Sequence, residues 1–110
     1  MVVNVRNKGA VKILPDDAVI ETGCLINRSG IKPLAIYKVP PTVWGLICAV
    51  KNYEQLAVEA AVKGDKDLAL FALIAHPLVR DYDIARPLLE ELIEANKRYL
   101  PQFYNYNSKF

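Results

Sequence analysis

The sequence holds no closely spaced run of glycines. Its five glycines, Gly9, Gly23, Gly30, Gly45 and Gly64, stand too far apart for a phosphate-cradling loop or a dinucleotide fingerprint. Histidine is almost absent, His76 being the only one, so a multi-histidine metal site is excluded. The two cysteines, Cys24 and Cys48, have no metal-like spacing and are too few for a disulfide scaffold; two reduced thiols are expected. No excess charge of either sign exists. Fourteen Lys plus Arg against twelve Asp plus Glu give a net charge of +2, with the basic residues scattered, which argues against nucleic acid as a partner. The longest apolar run, Leu68 to Ala75, is too short to span a bilayer. No signal-like leader, repeat or low-complexity segment is visible. These absences lead to the expectation of a cytoplasmic chain with no membrane partner.

Hydrophobic residues make up 53% of the 110 residues, somewhat above the usual share for a soluble domain. A small domain has little interior in which to bury them, so apolar surface facing a partner is expected. One domain, 1–110, fits the length, with a strand region over 1–39, a helical region over 40–101 and an aromatic tail over 102–110.

In the strand region, short apolar runs alternate with turn residues. The runs are Val2 to Val5, Ala10 to Leu14, Ala18 to Thr22 and Cys24 to Ile26. Asn7-Lys8-Gly9, Pro15-Asp16-Asp17, Gly23 and Asn27 to Gly30 separate them, which suggests antiparallel hairpins. Ile31 to Val39, interrupted by Pro33, reads as an edge strand or connector.

From Pro40-Pro41 onward the period changes. Val43, Leu46, Ile47, Val50, Tyr53, Ala57, Ala60 and Ala61 follow helical steps and predict a helix over about 41–63, stopped by Gly64. Asp65 is suited to cap a second helix over about 66–76; its eight consecutive apolar residues imply burial on most sides. Asp81 or Asp83 is suited to cap a third, over about 83–100. Its stripe is Ile84, Leu88, Leu89, Leu92, Ile93 and Leu100, and Pro87 costs one hydrogen bond if the helix begins at Tyr82. Strands followed by helices make the fold class α+β.

Few residues are candidates for chemistry. His76 stands at a helix C-terminus, where free carbonyls suit it, and would need a positioned partner to act as a base. Asp16-Asp17 could contribute to a cation site only with further oxygen ligands, and a Pro-Asp turn explains the pair. Glu21 lies in an apolar run and requires a partner or solvent. Tyr53, Tyr82 and Tyr99 have the size of core or interface aromatics, and Trp44 stands beside the first helix's main stripe, where it could face a second surface.

Several motifs together resemble the C-terminal region of glycoside hydrolase family 4. They are Val3-Asn-Val-Arg-Asn-Lys-Gly-Ala10, Leu14-Pro-Asp-Asp-Ala-Val-Ile-Glu21, Pro40-Pro41, Tyr53-Glu-Gln-Leu-Ala-Val-Glu-Ala-Ala61, Gly64-Asp65, His76-Pro-Leu-Val79 and Tyr99-Leu-Pro-Gln-Phe103. Within the family the chain looks most like the 6-phospho-β-glucosidases. The resemblance implies hydrolysis of a phosphorylated glucoside through NAD-mediated oxidation at C3, deprotonation at C2 and elimination, with a divalent metal, typically manganese. It places the NAD-binding fold, the metal ligands and the tyrosine base upstream of this region. No catalytic, cofactor-binding or metal-binding residue is therefore expected in this chain, and its expected partners are the N-terminal NAD-binding domain of the same enzyme and a second copy of itself. The loop carrying Asn4, Arg6, Asn7 and Gly9 is the candidate for touching the substrate cavity, although a plain hairpin turn also explains it. Arg6 stands where many relatives are expected to have proline. The competing reading is a self-standing, homo-oligomeric interaction module without catalysis.

Overall fold

The computed structural model describes residues 1–105. The fold is α+β, with three antiparallel strands first and three helices after them. The chain divides into two compact units, Met1–Cys48 and Ala49–Phe110. The strand-to-helix change expected at 39–40 is present, but the division between units falls inside the first helix.

In the first unit, β1 (Val2–Arg6), β2 (Val19–Asn27) and β3 (Gly30–Pro33) form a sheet in the order β1-β2-β3. Val3 pairs with Thr22 and Val5 with Ile20; Ile26 pairs with Ile31 across the closing turn. One face is packed: Ile20, Thr22 and Cys24 are buried, and Ala10 and Val11 join Ile20 in a small core flanked by Val5, Ile13, Leu14 and Val39. Alternation along β2 sends Val19, Glu21 and Leu25 to the opposite, exposed face.

Two strand expectations are corrected. Ala10 to Leu14 is not a strand; among the described residues its only ladder contact is a single bridge from Val11 to Ile36. The reason is local, because the Asn7 side chain takes up the Val11 N–H and carbonyl and the Leu14 carbonyl, groups that a strand would have paired sideways. Gly23 does not end a strand either. It lies within β2, where the Leu34 side chain is 3.6 Å from the position its Cβ would take, a place where a bare backbone is useful.

Helix α1 (Pro41–Lys63) opens with Pro41 in its first turn. In the second unit it is followed by α2 (Lys66–Ala75) and α3 (Tyr82–Ala95). Asp65 caps α2 by accepting from the N–H groups of Asp67 and Leu68, both at 3.0 Å. Asp81 caps α3 by accepting from Asp83 at 2.7 Å. Since α3 starts at Tyr82, Pro87 does remove one internal hydrogen bond.

Two features differ from expectation. Helix α2 is not buried on most sides; Ala72 is its buried residue and Phe71 is exposed, because a unit of three helices has no second layer to cover every apolar face. Helix α3 stops at Ala95 instead of reaching 100. Asn96 closes it, its Nδ2 donating to the Leu92 carbonyl at 2.8 Å, and Pro101 disfavours helical geometry at Leu100. Two short 3₁₀ turns, Lys97–Tyr99 and Pro101–Phe103, follow. Of the aromatic tail, Phe103 is buried, whereas Tyr106 and Phe110 lie outside the described residues.

Candidate functional site

The loop after β1 is built around Asn7, which is 0% exposed. Its Nδ2 donates to the carbonyls of Val11 (2.9 Å), Leu14 (2.9 Å) and Pro15 (3.0 Å), and its Oδ1 accepts from the Val11 N–H at 2.7 Å. Two N–H donors shared among three carbonyls use the amide nitrogen fully, and the oxygen accepts one bond. The backbone turns at Lys8 (φ 46°) and Gly9 (φ 80°), and the Lys8 N–H reaches the Asp16 carbonyl at 2.9 Å. Asn7 thus fastens Val11 to Pro15 against the start of the loop.

The expected cavity loop therefore separates into two parts. Asn4 and Arg6 are exposed and share the open face of the sheet with Glu21, which pairs with Asn4 across the strands. Solvent is what satisfies the Glu21 charge. Asn7 faces the interior, and Gly9 sits at the tip of the turn. From the sequence alone Asn7 reads as a turn former; its interior role emerges only from the fold. The signal available was an Asn-x-Gly turn placed seven residues before a Leu-Pro pair whose carbonyls need donors.

His76 ends α2. Its backbone N–H donates to the Ala72 and Leu73 carbonyls, its Nδ1 accepts from the Leu78 N–H at 3.1 Å, and its ring meets Tyr53 edge-on with centroids 4.5 Å apart. These contacts describe a helix-closing residue. Asp16 and Asp17 are exposed in the turn before β2. Among the described residues no group of three or more His, Cys, Asp or Glu is placed to hold a metal ion. Cys24 is buried, Cys48 is half-buried, and both are free thiols.

The second unit has an open groove of ≈ 530 Å³ whose lining includes Lys66, Tyr82, Arg86, Leu89, Ile93 and Tyr104. The Tyr82 hydroxyl first, and then Glu90, hold the Arg86 guanidinium above its usual value. Lys66 and Lys97 lie over the Tyr104 ring at 5.1 and 4.7 Å, and the Tyr104 hydroxyl donates to Glu94 at 3.0 Å. Burial, helped by Glu94, raises the Tyr104 phenol above its ordinary value. Tyr99 is exposed. No catalytic arrangement of nucleophile, base and orienting group is assembled by these residues.

What decides the family is the run of the whole chain. Residues 1–79 match the family described as the family 4 glycosyl hydrolase C-terminal domain. The chain belongs to glycoside hydrolase family 4. This C-terminal domain is 44% identical over 103 residues to the probable 6-phospho-β-glucosidase of Bacillus subtilis, covering 94% of the chain and 23% of that protein. It is 43% identical over 99 residues to a 6-phospho-β-glucosidase of Thermotoga maritima, covering 90% of the chain and 24% of that protein. The family 4 chain thus spans well under half the length of these relatives. The Thermotoga enzyme, solved with NAD and glucose-6-phosphate, superposes with a TM-score of 0.82 over 91% of the chain and 24% of its own length. A 6-phospho-α-glucosidase from gut microorganisms, solved with NAD and Mn²⁺, is 32% identical and gives 0.83 over 88% of the chain and 22% of its own length. No helix among the described residues is long and apolar enough to cross a membrane.

Proposed function

We propose that the chain is the C-terminal domain of a cytoplasmic, homo-oligomeric 6-phospho-β-glucosidase and contributes structure and assembly surface rather than catalytic groups. The observation that carries this reading is the match itself: 44% identity along 94% of the chain, confined to 23% of a probable 6-phospho-β-glucosidase. In this reading the complete enzyme hydrolyses phosphorylated glucosides by the oxidation at C3, deprotonation at C2 and elimination that the resemblance implies. NAD supplies the redox chemistry and a divalent metal the charge stabilisation, both held by residues outside this chain. The described residues fit neither group, since they offer no metal-ligand cluster and no glycine-rich phosphate loop, so none of their side chains receives a step of the reaction.

The chain's own contribution is geometric. Asn7 rigidifies the loop that follows β1, and Asn4, Arg6 and Gly9 form the part proposed to lie toward the substrate cavity. The test is direct. Purified chain, supplied with NAD, manganese and a reductant, is expected neither to bind NAD nor to release p-nitrophenol from p-nitrophenyl-β-glucoside 6-phosphate. Turnover by the chain alone would refute the assignment.

A further inference from the structure

An antiparallel sheet with one packed face ordinarily turns polar side chains to water on the other. Here the open face is divided. Toward one end it carries Asn4 and Arg6 on β1 and Glu21 on β2, with exposed Val19 opposite Arg6. Toward the other it carries Val2, Leu25 and Leu34, which are 63%, 56% and 57% exposed, with Lys32 opposite Leu25 at the margin. Val2 pairs with Gly23, and the Leu34 side chain lies 3.6 Å from where a Gly23 Cβ would stand. The missing side chain at Gly23 leaves room for Leu34, so the apolar half runs from β1 across β2 to the residue after β3. Leu25, two residues along β2 from Gly23, continues it on the same face.

We infer that this open sheet face, centred on Leu25 and Leu34, is the surface on which the remainder of the family 4 polypeptide docks. The inference rests on the reading just proposed. The occupant is set by the comparison of lengths: the same fold, superposing at a TM-score of 0.82, makes up only 24% of the Thermotoga enzyme. The unit's own core already covers the other sheet face. Docking on this face also carries Asn4 and Arg6, which share it, toward the part of the enzyme that would hold the phosphorylated sugar. Exposed leucines at the centre of such a contact gain most from being covered, because burying them removes apolar area from water.

The experiment uses the Thermotoga maritima enzyme with its matching region replaced by this chain. Leu25→Glu and Leu34→Glu are introduced singly into that hybrid and into the isolated chain. In the hybrid each is expected to lower the melting temperature by about 5 °C or more and hydrolysis of p-nitrophenyl-β-glucoside 6-phosphate at least about tenfold. Leu34→Met is expected to retain both. In the isolated chain the same glutamates are expected to leave the melting temperature nearly unchanged. A fully active hybrid that tolerates both glutamates overturns the docking surface while leaving the family reading intact. Equal destabilisation of hybrid and isolated chain also overturns it, since the leucines would then serve their own sheet. Loss of the hybrid's oligomeric mass with no change in melting or activity assigns the face to a second copy and overturns it as well. An unsubstituted hybrid that folds and binds NAD but cannot hydrolyse substrate sinks the underlying reading instead.

Discussion

Replacing Asn7 with aspartate changes one atom of a buried hydrogen-bond set and has a consequence that depends on pH. Alanine at this position would leave two groups without the partner they now have, the buried Val11 N–H and the part-buried Leu14 carbonyl. The Val11 and Pro15 carbonyls would each keep a turn bond, from Leu14 and Ala18. Two orphaned groups at about 1–3 kcal/mol each, partly relieved by relaxation, give a loss of about 2–4 kcal/mol. Aspartate has the same volume and keeps the acceptor for Val11, but it turns a second oxygen toward three carbonyls now 2.9, 2.9 and 3.0 Å from Nδ2. At pH 7 its cost is therefore expected to equal or exceed that of alanine. Burial and the three carbonyl dipoles both disfavour the charged form, so the carboxyl is raised in the folded state above its unfolded value of about 3.9. A raised value means that the folded state binds more protons than the unfolded state. The variant's deficit is then smallest below about pH 4 and grows by up to about 1.4 kcal/mol per unit as the pH rises toward the folded value. Urea unfolding of parent and variant, followed by circular dichroism across that range, measures the difference. An aspartate variant as stable as the parent at pH 7, or a deficit that shrinks as pH rises, would refute the reasoning.

Further outcomes follow from other contacts. Gly64→Ala places a Cβ 2.2 Å from the Gln102 carbonyl oxygen at a φ of +68°; a loss of about 2–4 kcal/mol is expected in thermal melts, and a loss below about 0.5 kcal/mol would contradict the close approach. Cys24 and Cys48 are expected to titrate as two thiols without reductant, with half-buried Cys48 reacting before buried Cys24 in the native chain; no free thiol would contradict this. The Tyr104 phenol is expected to ionise above the ordinary tyrosine range in an absorbance titration, because burial raises it and Glu94 adds to the shift. Glu94→Gln should move it part of the way back, and an unchanged titration curve would remove Glu94 from the account.

The layout of the molecule was largely legible in its residues, for identifiable reasons. Helix starts announce themselves by short-range chemistry, so Pro41 and Asp65 could be named from their positions, and Asp81 as one of two candidates beside Asp83. Gly64 as a helix stop was legible for the same reason, but the approach of Gln102 to it was not, since that contact joins segments far apart in sequence. Ala10 to Leu14 misled because apolar composition is shared by a strand and by a segment held through a neighbouring amide; only the burial of Asn7 distinguishes them. Leu100 continued the apolar stripe of α3, but the Asn96 amide and the proline at 101 ended the helix first. In the candidate site, Asn4 and Arg6 read as part of one loop with Asn7 and Gly9, whereas they lie in β1 on one face of the strand. The inward turn of Asn7 depends on carbonyls contributed by Val11, Leu14 and Pro15, which periodicity does not reveal.

The hybrid enzyme in its unsubstituted form tests the central claim most directly. If this chain is an interchangeable family 4 C-terminal domain that supplies structure and leaves the chemistry to the rest of the polypeptide, the hybrid should hydrolyse p-nitrophenyl-β-glucoside 6-phosphate, with NAD and manganese present, within about tenfold of the Thermotoga parent's kcat, a difference of about 1.4 kcal/mol in activation free energy. A hybrid that folds and binds NAD yet falls about a thousandfold below the parent, some 4 kcal/mol, would contradict the account.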